Sequence, residues 1–172
     1  MPEVILVDEN DNVIGTEEKI KAHQEGKLHR CFSIFVFNSK DELLLQKRAK
    51  SKYHSGGLWS NTCCSHPIHG EPIEKTVHQR LKEEMGFDCE LKEIFSFTYK
   101  TKLDNNLFEH EYDHVFIGKF DGEPNPNPEE VDEWKWIGLE ELKKGIQENP
   151  DSYTYWLRVS INKVISYLKT QR

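Results

Sequence analysis

The sequence has no internal repeat, no low-complexity tract and no apolar stretch long enough to cross a membrane. It also lacks an excess of basic residues, since its formal net charge is −7 at pH 7. A general nucleic-acid binder depends on a broad basic surface, so that class is excluded. An anionic ligand would have to be held by a local cluster of cations or by a bound metal. We therefore expect no nucleic-acid partner and no membrane association.

Signals for secretion and for a disulfide framework are also missing. The run MPEVILVDEN turns acidic after a short apolar segment and contains no basic n-region. The four cysteines are Cys31, Cys63, Cys64 and Cys89; two are adjacent, and no CxxC motif occurs. This pattern favours reduced thiols. We expect a cytoplasmic protein with at least one thiol free for chemistry.

The length of 172 residues predicts one domain, residues 1–172, which buries about two thirds of its unfolded surface and can enclose a pocket. Strands are predicted at residues 4–7, 13–15, 31–37, 42–48, 94–103, 109–120 and 134–137. Helices are predicted at residues 17–25, 73–85, 139–147 and 153–169. This order favours an α+β sandwich in which a mixed sheet lies between helices.

The segment GGLWSNTCCSHPIHGE, residues 56–71, combines a glycine turn, a tryptophan, two thiols and two imidazoles just before the predicted helix at 73–85. Taken singly, a cysteine is more often a small core residue and a histidine a surface residue. Few structural loops need all of these residue types together. The combination favours a functional segment.

The segment EHEYDH places Glu109, Glu111 and Asp113 on one face of a predicted strand, because side chains alternate along a strand. Adjacent carboxylates repel one another unless a cation lies between them. For this segment alone, a solvated strand face explains the pattern equally well. The apolar continuation VFIGKF places the carboxylates at the end of a core strand, which favours a site.

The segment QRLKEEMGF resembles the second half of a Nudix box, in which helix carboxylates hold a divalent cation against a diphosphate. Glu83 and Glu84 match the metal-binding positions of the box, Glu71 its upstream glutamate and Gly86 its closing glycine.

Two departures from the box bear on the chemistry. Ser65 stands where the box has its first glycine, and Gln79 and Arg80 replace its Arg-Glu pair. A carboxylate of the hydrolytic site has thus become a cation. A metal-activated water would lose a ligand or a base at that position.

The segments KIKAH, KLH, KRAKSK, LWSNTCCSHP, the altered box, EHE and YTYW occur in the order typical of one family. In this order the chain resembles the type I isopentenyl-diphosphate delta-isomerases, a branch of the Nudix fold superfamily that rearranges its diphosphate. The resemblance covers residues 4–168. It implies a Nudix-like α/β/α sandwich with a mixed central sheet, and interconversion of isopentenyl and dimethylallyl diphosphate through a tertiary carbocation, in isoprenoid biosynthesis. The expected partners are small allylic and homoallylic diphosphates, bound by a monomer or weak homodimer.

The resemblance also implies roles for individual residues. One divalent ion, Mn²⁺ or Zn²⁺, would be bound by His23, His29, His66, Glu109 and Glu111. Glu84 would bind Mg²⁺ together with diphosphate oxygens. The diphosphate would contact Lys19, Arg48, Lys52 and Arg80.

The catalytic pair implied by the resemblance is the thiol of Cys64 and the carboxylate of Glu111, with Tyr99 placed to hydrogen-bond or relay a proton at that carboxylate. Trp156 would face the carbocation. Which member of the pair is the acid stays open. Cys63 has no matched role, and neither does His54.

Two other functions share parts of this pattern. A Nudix diphosphohydrolase would keep the Glu84 metal and the cations but needs no thiol beside the metal, and Ser65 and Arg80 argue against it. A catalytically inactive Nudix-like binding module would be expected to lose the metal ligands, whereas every matched ligand is present.

Overall fold

The computed structural model describes residues 2–171. Its strands are β1 (Glu3–Val7), β2 (Val13–Glu18), β3 (His29–Phe37), β4 (Glu42–Arg48), β5 (Trp59–Ser60), β6 (Cys63–Ser65), β7 (Leu91–Lys102), β8 (Phe108–Lys119) and β9 (Val131–Gly138). Its helices are α1 (Lys19–Glu25), α2 (Ile73–Met85), α3 (Leu139–Glu148) and α4 (Tyr155–Thr170). Across residues 2–171, no helix combines the length and the apolar character that crossing a membrane requires.

The strands form one mixed sheet centred on β3. Strand β3 runs parallel to β8 and antiparallel to β1, β4 and β6. Strand β7 extends the sheet beyond β8, while β5 and β9 both pair with β4. The N-terminal hairpin of β1 and β2 adds to the other side. The predicted mixed sheet is confirmed, and the parallel pairing of β3 with β8 brings two distant segments of the chain together.

Helices cover both faces of the sheet, so that β3 is buried on both sides. On one face, Phe32 and Ile34 of β3 belong to the same core cluster as Val77 and Leu81 of α2. On the other face, Phe35 of β3 belongs to a cluster that includes residues of α3 and α4. The alternation of side chains along β3 therefore supplies two cores. This is the α/β/α sandwich expected from the sequence.

Helix α2 has the bounds predicted from its periodicity. It ends at Gly86, whose φ of 74° is left-handed, and a Cβ there would lie 2.1 Å from the carbonyl oxygen of Asn125. Only glycine fits this position. The buried face of α2 carries Glu84 beside Val77 and Leu81, with Glu84 only 3% exposed. A carboxylate on the core face of a helix requires partners.

Two helices begin two residues later than the sequence predicts. The helix predicted at 17–25 begins at Lys19, because Glu18 completes β2 and its side chain accepts hydrogen bonds from the N–H groups of Ile20 and Lys21. The last helix begins at Tyr155, because Thr154 caps it. In both cases a capping side chain fixes the boundary.

Candidate active site and metal centre

Three histidines and one carboxylate converge beside the central strands. The Nε2 atoms of His29, His66 and His23 lie 3.4, 3.7 and 3.9 Å from Oε1 of Glu111. One ligand atom from each of the four residues lies within 4.8 Å of the others. His23 and His29 are fully buried, and Glu111 is 5% exposed.

The strand register explains this convergence. His29 of β3 lies directly opposite Glu111 of β8 in the parallel pairing. Backbone carbonyls then orient two of the rings. Nδ1–H of His23 donates a hydrogen bond to the carbonyl oxygen of Lys19 at 2.8 Å, and Nδ1–H of His29 donates one to the carbonyl oxygen of Lys27 at 2.9 Å. Fixing Nδ1 directs Nε2 into the site.

The four side chains fit a divalent metal. The Nε2 atoms of His23, His29 and His66 are buried and have no hydrogen-bond partner, which leaves them free to bind an ion. Burial lowers the pKa of His23 to about 4 and also lowers the pKa of His66, so both rings are neutral near pH 7. Burial acts in the same direction on His29, but contact with Glu111 outweighs it and raises the pKa of that ring. Burial alone would raise the pKa of Glu111, but His29 and His66 hold it well below its usual range. Neutral imidazole and ionised carboxylate are the metal-binding forms.

Glu109, the fifth predicted ligand, lies beside this group with different contacts. Its Oε1 accepts a short hydrogen bond from the hydroxyl of Tyr99, and its Oε2 lies 3.0 Å from Nε2 of His54. Glu109, His23 and His54 form a second set with ligand atoms within 4.8 Å of one another. His23 is common to both sets.

The hydroxyl of Tyr99 donates its hydrogen bond to Glu109 and not to Glu111, the carboxylate at which it was expected. Tyr99 does lie opposite Glu111 in the pairing of β7 with β8. The phenol is long enough to reach the diagonal neighbour on the adjacent strand, so its hydroxyl bonds Glu109. Tyr99 is thus a partner of the other carboxylate.

The adjacent cysteines point in different directions. Cys63 is fully buried in the core cluster under α2, whereas Cys64 lines a cavity together with His66, Glu109 and Glu111. The Sγ atom of Cys64 lies 3.1 Å from Oδ1 of Asn61 and 3.7 Å from Oγ of Ser33. Burial raises the pKa of the Cys64 thiol well above its usual value, which keeps it protonated near neutral pH.

Trp156, at the start of α4, is 3% exposed and lines the same cavity. Its indole N–H lies 3.0 Å from Oγ of Ser60 and 3.1 Å from Oδ1 of Asn61. The guanidinium carbon of Arg48 lies 5.2 Å from the centre of the indole ring. Trp156 is therefore both buried and in contact with the cavity.

A larger cavity of about 680 Å³ opens next to the metal-ligand candidates. All four predicted diphosphate-binding cations line it: Lys19, Arg48, Lys52 and Arg80. Burial, the largest cause, and the positive charge of Lys52 lower the pKa of Lys19. The cavity is suited to a compact, multiply charged anion.

Glu84 lies on the wall of this larger cavity. Its Oε2 accepts a hydrogen bond from Arg80 at 2.7 Å, and its Oε1 accepts one from Gln46 at 3.1 Å. Glu83, the neighbouring position of the box, is exposed and pairs with Arg80. The two carboxylates that the motif placed together therefore differ, and only Glu84 lies against the cavity.

A smaller inner cavity of about 30 Å³ continues from the larger one. The four residues predicted as catalytic, Cys64, Glu111, Tyr99 and Trp156, all line it. Tyr53 and His54 line it as well, although the sequence interpretation gave them no role. Their only sequence signal was the pair YH directly before SGG and after the basic KRAKSK segment.

Comparisons with known proteins agree with this arrangement. The NUDIX domain model matches residues 27–157. The chain is 56% identical to isopentenyl-diphosphate Delta-isomerase 2 of Aromatoleum aromaticum over 164 residues, covering 95% of this chain and 87% of that protein. The chain belongs to the isopentenyl-diphosphate Delta-isomerase family. A second relative of that name, from Photorhabdus laumondii, is 57% identical over 159 residues, or 92% of this chain and 90% of the relative.

Solved structures agree on the fold. The DR0079 protein of Deinococcus radiodurans superposes with a TM-score of 0.80 at 19% identity, covering 94% of this chain and 98% of that one. The MutT protein of Methanosarcina mazei gives a TM-score of 0.67 at 16% identity, over 84% and 96% of the two chains. This chain therefore shares its fold with these two proteins, and the fold by itself does not indicate an activity.

Proposed function

We propose that the protein interconverts isopentenyl diphosphate and dimethylallyl diphosphate in isoprenoid biosynthesis. The observation that carries the proposal is the inner cavity, where Cys64, Glu111 and Trp156 meet directly behind four cations. Moving a double bond in an unactivated alkene requires one group that gives a proton, one that takes a proton and a surface that tolerates a cation. The names of the relatives support the same reaction.

The larger cavity supplies the anchor for the diphosphate. Lys19, Arg48, Lys52 and Arg80 would neutralise its charge, and Glu84 would bind Mg²⁺ together with diphosphate oxygens. Arg80 already bonds Glu84, so a cation stands where the hydrolytic box has a carboxylate. This arrangement favours binding the diphosphate over cleaving it.

The second divalent ion would be held by His23, His29, His66 and Glu111, with Glu109 adjacent. Nitrogen and carboxylate donors of this kind suit Mn²⁺ or Zn²⁺. Such an ion would supply positive charge that holds Glu111 ionised and fixed in place. The unpaired, buried Nε2 atoms of the three histidines support the assignment.

The pKa values favour one assignment of the proton-transfer pair. The pKa of the Cys64 thiol is raised and that of Glu111 is lowered, so the resting pair consists of a thiol and a carboxylate. In the direction from isopentenyl diphosphate, Cys64 would protonate the terminal methylene and Glu111 would accept a proton from the neighbouring carbon. The reverse reaction exchanges these roles. The indole of Trp156 would stabilise the cation by about 2 kcal/mol when water is excluded.

The inner cavity must widen to admit the five-carbon chain of the substrate. Its volume of about 30 Å³ holds no more than a few water molecules. Side chains that line it therefore move when the alkene enters. A tight fit around the alkene would keep water away from the carbocation and so suppress the formation of an alcohol.

Following the reaction of isopentenyl diphosphate by ¹H and ³¹P NMR tests the proposal. With Mg²⁺ and Mn²⁺ supplied, we expect dimethylallyl diphosphate to accumulate until the two isomers reach a constant ratio, with no free phosphate. The Cys64→Ala variant is the matched control for a contaminating activity. Release of phosphate as the main change, or an unaltered substrate, would contradict the proposal.

A further inference from the structure

We propose that His54 is a positioning residue that works with Tyr99 to hold Glu109 beside the metal-ligand group. His54 is 3% exposed, and its Nε2 lies 3.0 Å from Oε2 of Glu109. Tyr99 bonds the other oxygen of the same carboxylate. Glu109, which is 2% exposed, is thus held from both sides.

The contacts of His54 distinguish it from the three ligand candidates. His23, His29 and His66 each leave a buried Nε2 without a hydrogen-bond partner. Both ring nitrogens of His54 are engaged, Nε2 by Glu109 and Nδ1 by Oγ of Ser55 at 3.0 Å. Nε2 of His54 lies closer to its carboxylate, at 3.0 Å, than the Nε2 atoms of His23, His29 and His66 lie to Glu111, at 3.4 to 3.9 Å. His54 therefore acts on the site through Glu109.

The hydroxyl of Ser55 is the partner of Nδ1 of His54. When this hydroxyl donates to Nδ1, the ring carries its proton on Nε2, which faces Oε2 of Glu109 at 3.0 Å. Ser55 has a φ of 54°, a left-handed conformation that non-glycine residues adopt at some cost. Its N–H is bonded to Oδ1 of Asp104 at 3.2 Å, and its carbonyl accepts from the N–H of Leu58. The backbone of Ser55 is therefore held on both sides, which keeps its side chain beside Nδ1 of His54.

The carboxylate of Glu109 retains capacity for a cation. Each oxygen has two lone-pair directions, and Tyr99 and His54 use one on each oxygen. A ligand atom of His23 lies within 4.8 Å of a Glu109 oxygen, so an ion shared by the two residues is within reach. Without His54, the buried carboxylate would lose the imidazole at its Oε2 and its fixed orientation. Hydrogen-bonding partners of metal ligands typically change metal affinity about 10- to 100-fold.

The backbone of His54 contacts the diphosphate cradle independently of its side chain. Its carbonyl oxygen accepts a hydrogen bond from Arg48 at 3.1 Å. A side-chain substitution at position 54 leaves this carbonyl in place. The proposal therefore predicts a change in metal affinity and kcat, with KM for the diphosphate within about twofold.

The test is titration of the intact, metal-stripped protein with Mn²⁺ by calorimetry. We expect His54→Ala to keep one His/Glu site per chain with affinity lowered about 10- to 100-fold. His54→Gln, whose amide N–H can replace the Nε2 donor, should recover most of the affinity, and Ser55→Ala should show a smaller loss. His78→Ala is the control, because His78 lies on α2 and pairs with Asp88 at 2.6 Å. If circular dichroism shows that His54→Ala does not fold, the comparison uses Ser55→Ala, with His54→Gln as the conservative variant.

Wild-type Mn²⁺ affinity in folded His54→Ala, or in Ser55→Ala should His54→Ala not fold, would overturn the proposal. Loss of the site from His54→Ala without rescue by His54→Gln would overturn it too, because it would make His54 a ligand. The inference rests on the metal-site part of the proposed function. If the wild-type protein binds Mn²⁺ but does not isomerise isopentenyl diphosphate, the proposed reaction is refuted. The role of His54 is then still decided by the Mn²⁺ titration.

Discussion

Replacing Cys64 with Ala or Ser is expected to lower kcat by about 10²- to 10⁴-fold, whereas Cys63→Ser keeps most of the activity. The thiol of Cys64 lines the inner cavity with Glu111 and Trp156, while that of Cys63 is buried in the core under α2. Cys63→Ser should instead lower the melting temperature, since a buried hydroxyl without a partner costs about 1–3 kcal/mol. Steady-state kinetics and thermal unfolding of both variants separate the two effects.

Comparing Cys63→Ser with Cys64→Ser shows whether activity depends on the position of the thiol or only on the number of thiols. Cys64→Ser should unfold cooperatively and bind substrate, because Cys64 contributes no packing to either core cluster. Equal loss of activity in folded Cys63→Ser and Cys64→Ser would remove Cys64 from the proton-transfer pair.

The second large effect is expected from His66→Ala, which should strip the His/Glu site of its metal and lower kcat by a comparable factor. His66 contributes one of three unpaired Nε2 atoms around Glu111. His66 supplies one of only three nitrogen donors, so its loss should weaken the site enough for the ion to leave during dialysis. Metal analysis after dialysis, with and without a substrate analogue, measures the two kinds of site separately.

The Mg²⁺ site at Glu84 provides an internal standard for that experiment. It lies on the larger cavity and is completed by diphosphate oxygens, so it should survive in His66→Ala. His78→Ala should retain both ions. Full metal content in a folded His66→Ala protein would contradict the assigned ligands.

Local sequence patterns predicted most of the elements that build this site. The four-residue spacing of α2 gave its bounds, and alternation in β8 placed Glu109 and Glu111 on one buried face. The resemblance to a known family added the ligand histidines. These predictions succeed because periodicity and short motifs are local properties of the chain.

The parts that could not be predicted depend on contacts between distant segments. The parallel pairing of β3 with β8 is set by the packing of helices on both faces. The contact of Tyr99 with Glu109 depends on how far a phenol extends across a strand pair. His54 lies in a loop without periodicity, and its burial against Glu109 became apparent only in three dimensions.

The most direct test of the central claim is the reaction of isopentenyl diphosphate in heavy water, with the product followed by NMR. The account requires that a proton from the protein, which exchanges with solvent, enters the new methyl group of dimethylallyl diphosphate. It predicts deuterium in that methyl group and no free phosphate. A product without solvent label, or phosphate as the main product, would contradict proton transfer by Cys64 and Glu111 and favour a hydride or hydrolytic route.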